Sequence, residues 1–173
     1  MQEERLQLAD ESGRPAGSAT RRECHGNPAL IHLVVHLHLF DGKGNLFLQK
    51  RSPAKDSFPG RWDTAVGGHG EAGEPISAAL EREAREELGV QVRGARFLFQ
   101  YLCGGERESE YVYTFALTQG GELHPNPREI SAGRFWSAEQ IEARLGKGVF
   151  TPNFEQEYRR LIEMGLLPSL GRK

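Results

Sequence analysis

Four glutamates, Glu81, Glu83, Glu86 and Glu87, fall within the eight residues EREAREEL at positions 81 to 88. Like charges three or four apart on a helix face each other and cost a few tenths of a kcal/mol per pair, so something else must offset the crowding. At about 100° per residue, Glu83 and Glu87 project roughly 40° apart and share the angles of an apolar stripe made by Ile76, Leu80, Ala84 and Leu88, with Glu86 on the adjoining flank. A solvated face, in which Arg82 pairs with Glu86 and Arg85 with nearby acids, is the alternative. Glu87 argues against it, because it points where a leucine would be expected. Carboxylates drawn out of water and too numerous for the arginines are stable only if protonated or sharing a cation, and a hard divalent ion, magnesium first, suits oxygen ligands.

Such a set must be carried on a helix entered through a defined loop. Pro75 suits the first turn, and Gly89 can end the helix in the left-handed conformation. The preceding stretch, VGGHGEAGE, is expected to be a glycine-rich loop in which several backbones need unusual dihedrals. IHLVVHLHLF alternates with strand periodicity and one fully apolar face, opposite His32, Val34, His36, His38 and Phe40. Further strands are expected at NLFLQKR, WDTAV, ARFLFQYL, SEYVYTFALT and GRFWS, and helices at SAEQIEARL and FEQEYRRLIEMGLL. LQLAD and GSATRR flank a turn and suggest an N-terminal hairpin. Strands and helices interleaved in this way give an α+β fold without internal repeats.

The chain has 173 residues, 22 basic and 24 acidic, for a net charge of -2. One domain is expected across residues 1–173, with 1–28 as an N-terminal extension and 138–165 holding the C-terminal helices. The charge balance supplies no basic field for nucleic acid. The first residues lack the apolar core of a signal peptide and no apolar run nears the roughly 18 residues of a membrane span, so a cytoplasmic protein without a membrane partner is expected. Cys24 and Cys103 read as free thiols. Nothing in the chain reads out its oligomeric state.

From Gly68 the run GHGEAGEPISAALEREAREELGV places Glu74 after five residues, Arg82 and Glu83 after seven more, then Glu86, Glu87, Gly89 and Val90. This resembles the Nudix box, GX5EX7REUXEEXGU, over residues 68–90, with Ala84 smaller than the usual aliphatic. The resemblance implies a Nudix fold, a mixed β-sheet sandwiched between α-helices, and an enzyme that hydrolyses a diphosphate with Mg2+ or Mn2+. It implies that Glu83, Glu86 and Glu87 ligate the metal, with the Gly68 carbonyl completing the site. Arg82 would hold the glutamates in place, and Glu74 would brace the loop. Diphosphate hydrolysis needs neutralised nonbridging oxygens and an activated water in line with phosphorus, chemistry that metal ions perform. Glu83 is one candidate general base, with Glu108, Glu110, Glu129 and Glu155 available outside the box.

LFLQKRSPAKDSFPGRWDTAVGGH looks like the region preceding the box in the branch related to isopentenyl diphosphate isomerase. There, residues matching Arg51 and Lys55 contact the substrate diphosphate, and residues matching His25, His32, His69, Glu108 and Glu110 bind a second metal. Two departures favour hydrolysis. The isomerase has a cysteine before its Gly-His pair, where this chain has Gly67, and it usually keeps only the last glutamate of the box helix. Isomerisation is acid–base chemistry at carbon and needs that thiol or a substitute. The expected activity is therefore a Nudix pyrophosphohydrolase acting on a nucleoside diphosphate derivative or related metabolite. An isomerase-like enzyme and a non-catalytic nucleotide or diphosphate-binding module are the alternatives. Phe58, Trp62, Phe99, Tyr101, Tyr111, Tyr113 and Phe135 could stack a base, although aromatics at strand spacing more often fill a core.

Overall fold

A computed structural model describes residues 3–119 and 121–167 of the chain. In chain order the elements are β1 (Arg5–Ala9), β2 (Pro15–Thr20), α1 (Arg21–Cys24), β3 (Ile31–Phe40), β4 (Leu46–Arg51), β5 (Trp62–Asp63), β6 (Val66–His69), α2 (Ile76–Leu88), β7 (Arg96–Gly104), β8 (Ser109–Thr118), β9 (Ile130–Trp136), α3 (Ala138–Glu142) and α4 (Pro152–Glu163). The fold is α+β, as the alternation of patterns implies. The residues group into two compact units. The first runs to Leu37 and adds Val66–Glu86 and Val90–Leu117, and the second comprises His38–Ala65, Glu87–Gly89 and the chain from Thr118 onward.

In the first unit β1 and β2 form the expected hairpin, pairing Arg5 with Thr20 and Leu6 with Ala19. Its turn is held by the Asp10 carboxylate, which accepts from the amides of Ser12 and Arg14 at 2.9 and 3.0 Å. Gly13 sits in that turn at φ +84°, and a Cβ there would collide with the Tyr111 ring. The GSATRR stretch is strand only as far as Thr20. Thr20 then caps α1 in a capping box with Glu23, so the arginines belong to a helix.

β3 is paired to β6 through Val34↔His69, Val35↔Gly68, His36↔Gly67 and Leu37↔Val66. The expected loop at VGGH is therefore a strand. Gly68 and Gly70 lie outside the left-handed region, which Gly73 adopts at φ +77°, so fewer unusual dihedrals occur here than the glycine content suggests. Every residue of β3 from His32 to Phe40 is buried, so its polar-looking face is interior as well. β7 and β8 run antiparallel from Arg96↔Ala116 to Gly104↔Ser109, with a register shift between Phe97 and Phe99.

The second unit pairs β4 with β9 from Leu46↔Trp136 to Arg51↔Ile130, and with β5 at Gln49↔Asp63 and Lys50↔Trp62. β9 starts at Ile130, ahead of the GRFWS expected from its aromatic content. α4 starts two residues before the FEQEY pattern, because Thr151 accepts from the Phe154 amide at 3.2 Å and Pro152 takes the first helical position. Phe154, Tyr158 and Leu161 of α4 are fully buried. Beside them His38 and Glu157 meet at 2.7 Å, both side chains without solvent exposure.

Candidate active site

Helix α2 forms where the apolar stripe predicts it. Leu80, Ala84 and Leu88 are buried, and Ile76 is half-buried against the Leu33 and Tyr111 cluster. At its end Gly89 takes the left-handed conformation at φ +67° and the Val90 amide turns back to donate to the Ala84 carbonyl at 3.3 Å, which closes the helix. The glutamates therefore occupy the last two turns, the negative end of the helix dipole, which disfavours carboxylates. Their placement is opposed by the dipole and by one another.

Arg82 is the principal compensation. Its Nε and Nη2 donate to the two oxygens of Glu74, each at 3.0 Å, and Nη1 donates to Glu83 at 2.8 Å. Nη2 also donates to the His69 carbonyl at 2.9 Å. Nη1 lies 3.5 Å from Glu86, whose side chain is 58% exposed. This bidentate fork ties strand β6, the following loop and the helix through one planar group, geometry that lysine cannot supply. Burial alone would raise Glu74, but its bonds to Arg82 and the Glu71 amide outweigh that and hold its carboxyl below the usual range. Glu83 is pushed the other way: burial raises its carboxyl, Arg82 opposes this, and Glu86 and Glu74 add to it. The guanidinium is held above its ordinary value, with Glu74 as the largest cause.

Gly68 stands directly beside Glu83, where any Cβ would collide with the carboxylate. The glycine is required there by close approach and not by dihedral freedom. The loop after it is held by β1: Gln7 N donates to the Gly70 carbonyl at 2.9 Å, Ala72 N to the Arg5 carbonyl at 3.0 Å, and Gly73 N to the Gln7 side-chain oxygen at 2.8 Å. Glu87 is buried at 6% exposure, as its angle on the helix implies, and accepts from Gln49 Nε2 at 2.8 Å. Gln49 was missed in the sequence; its signal is a lone amide among the apolar residues of LFLQKR, two residues before Arg51 and so on the same face of β4.

Arg51 follows on that face. Its Nε donates to the Ser57 carbonyl at 3.0 Å, its Nη2 to the Ser57 hydroxyl at 3.1 Å, and its Nη1 lies 3.3 Å from Asp63. Lys55 is engaged by Glu129. Glu155 accepts from the Gly146 amide at 2.9 Å and lies 3.6 Å from Arg159, which gives it a local structural task.

The histidine cluster also assembles. The rings of His25, His32 and His69 have centroids 5.1 to 5.5 Å apart. Glu108 lies 3.4 Å from His25 and 4.0 Å from His32, and Glu110 lies 3.8 Å from His32. The Nε2 atoms of His25 and His32 are buried without a hydrogen-bond partner among the described residues, which is costly unless something else satisfies them. Burial, and next the neighbouring His25, lower His32 to about 4, so it is neutral at neutral pH. Imidazole nitrogens left without hydrogen-bond partners among the described residues, beside two carboxylates, fit a divalent ion such as zinc or manganese. His36 and His38 stand apart as interior residues of β3.

The NUDIX domain family matches residues 30–154 of this chain. The chain is 35% identical over 129 residues to a Nudix hydrolase of Listeria monocytogenes, covering 73% of this chain and 76% of that one. It is 32% identical over 155 residues to the isopentenyl-diphosphate Delta-isomerase of Streptomyces coelicolor, covering 86% and 79%. A crystal structure from Deinococcus radiodurans superposes with a TM-score of 0.78 at 29% identity, covering 91% of this chain and 98% of that one. With a complete box on a strand, loop and helix, and with hydrolases and an isomerase among its relatives, the chain belongs to the Nudix family, in the branch similar to isopentenyl diphosphate isomerase, and is a pyrophosphohydrolase of small-molecule diphosphates dependent on a divalent metal ion.

Proposed function

We propose that the protein cleaves the diphosphate linkage of a nucleoside diphosphate derivative or a related metabolite with Mg2+, for which Mn2+ can substitute, and that it does so in the cytoplasm as a single Nudix domain. The family match spans segments of both compact units, and β3 and α2 pass from one unit to the other, which supports the single domain. The observation that carries the reading is the Arg82 fork, which gathers Glu74, Glu83 and the His69 carbonyl and reaches Glu86. It assembles acceptor oxygens in excess of the cation that holds them, the donor set a hard divalent ion requires.

Glu83, Glu86 and Glu87, with the Gly68 carbonyl, would hold that ion. When bound, it supplies the positive charge that neutralises the nonbridging phosphate oxygens and acidifies the attacking water. Arg82 acts as a positioning residue, keeping Glu83 aimed and the loop registered. Arg51 and Lys55 bind the diphosphate by exchanging part of their present carboxylate contacts for phosphate oxygens. Glu83, raised by burial, is the leading candidate to accept the proton of the water; Glu108, Glu110 and Glu129 are the alternatives.

Hydrolysis of a panel of nucleoside diphosphates, nucleotide sugars and small diphosphates tests the reading, followed as phosphate released directly from the free diphosphates and, after added phosphatase, from the phosphomonoesters that a nucleotide sugar yields. Turnover is expected with magnesium, lost on chelation and restored when magnesium is returned. The same protein should incorporate no solvent deuterium into isopentenyl diphosphate, since Gly67 can neither donate nor accept a proton. Deuterium incorporation would establish the isomerase instead, and binding of panel members without release would establish a non-catalytic module.

The histidine cluster would take a second, softer ion. Metal analysis of protein purified without added metal or chelator should find zinc or manganese in the native chain and a loss of most of it in the His25→Ala, His32→Ala double variant. Equal substoichiometric contents in both would make these histidines ordinary structural residues.

A further inference from the structure

Phe58 is the non-glycine residue found at positive φ, +46°, among the described residues. A bulky side chain is strongly disfavoured there, and a glycine or asparagine would be the easier choice. Core packing does not explain the choice, since Phe58 is 43% exposed. The strain is imposed by a loop built around Arg51. Gly60 N donates to the Arg51 carbonyl at 3.1 Å, Arg51 N donates to the Arg61 carbonyl at 2.9 Å, and the Arg51 guanidinium grips both the carbonyl and the hydroxyl of Ser57, the residue before Phe58. The Arg61 guanidinium then lies over the Phe58 ring, 5.3 Å from its centroid.

Within the second unit Gln49, which holds buried Glu87, and Arg51, which holds Ser57 next to the exposed Phe58, stand two residues apart on one face of β4. Strained backbone at an exposed aromatic, one residue from a group held by the diphosphate-binding arginine, is the pattern of a ligand contact. Resting on the proposed diphosphate hydrolysis, we propose that Phe58 and Arg61 form a platform for the group carried by the diphosphate, and that this group is a planar ring with hydrogen-bond acceptors, as in a nucleoside diphosphate. Arg61 covers one face of the ring, so a base stacks on the face left open or on the guanidinium plane itself, which also donates to acceptors. An aliphatic chain would gain only contact with the ring and would have to displace water from Arg61.

Calorimetric binding of ADP and of inorganic pyrophosphate, with Ca2+ replacing Mg2+, tests this on the native chain and on Phe58→Gly and Phe58→Trp. The readout is the ratio of the two dissociation constants, because Arg51 and Lys55 contribute to both. In the native chain ADP should bind tighter than pyrophosphate. Phe58→Gly should reduce that preference about tenfold, the loss of one stacked ring, with an unfolding midpoint equal to or above the native value because the left-handed strain is relieved. Phe58→Trp should keep the preference. An unchanged ratio in a folded Phe58→Gly, or no native preference for ADP, overturns the platform. Hydrolysis of the diphosphate panel with Mg2+ is read separately: turnover with an unchanged ratio removes the platform alone, and the expected ratio without turnover of any panel member removes the hydrolase reading alone.

Discussion

Glu87→Gln is expected to reduce phosphate release by about a thousandfold while leaving the thermal midpoint unchanged or higher. The carboxylate is 6% exposed, sits one turn after Glu83 at the negative end of α2, and accepts from Gln49 Nε2, a neutral donor. As the metal ligand proposed above it would contribute to neutralising the transition-state charge, and about 4 kcal/mol of such stabilisation is roughly three orders of magnitude in rate. As a fold element it is a liability, repelled by its neighbours and the helix dipole. The amide of glutamine is nearly isosteric, still accepts from Gln49, and removes the repulsion. Rate and unfolding midpoint measured on the same sample separate the two roles. Full activity would show that Glu87 is not a ligand, and a midpoint lowered by more than about 5 °C, some 1 to 2 kcal/mol for a chain of this size, would show that its charge serves the fold.

Glu157→Ala should have the largest effect on stability. Glu157 and His38 meet at 2.7 Å with no exposure of either side chain, between β3 and α4. Removing one member of a buried, hydrogen-bonded ionisable pair strands its partner away from water, a loss of about 3–5 kcal/mol. For a chain of this size that lowers the midpoint on the order of 10 °C. Glu157→Gln, which keeps an oxygen facing His38, should lose less than half as much. Chemical denaturation of the two variants checks this, and a loss under about 1 kcal/mol for the alanine would mean that the interior rearranges to satisfy His38 without it.

What the chain disclosed in advance follows from the range of the forces involved. The helix of the box was legible because its signals are local: a 3.6-residue apolar period, Pro75 before it and Gly89 after it. The burial of Glu87 followed from angle alone. Strand β6 was not legible, since VGGH has the composition of a loop and becomes a strand only by pairing with residues 34–37, some thirty positions earlier. The interior placement of His36 and His38 has the same origin, because β3 is covered on both faces by distant segments. Arg51 and Lys55 were singled out by the resemblance to the isomerase branch and not by their own spacing, whereas Gln49, Ser57, Asp63 and Glu129 become informative only through the partners that folding brings to them. Phe58 stood among seven aromatics of equal claim until its backbone conformation set it apart.

Arg5 and Gln7 lie well before residue 30, where the family match begins, yet their backbone and side-chain groups satisfy three of the polar atoms of the loop from Gly70 to Gly73. The boundary of the family match is therefore not the boundary of the structure that holds the box. Cutting the gene at the homologous segment would leave those amides and carbonyls to water and free the loop that Arg82 aligns, so that a fragment containing every residue of the box could still lack the geometry the box encodes. The N-terminal hairpin thus acts as scaffolding for the loop of the box, and substitutions in it would retune that loop without touching any residue of the box.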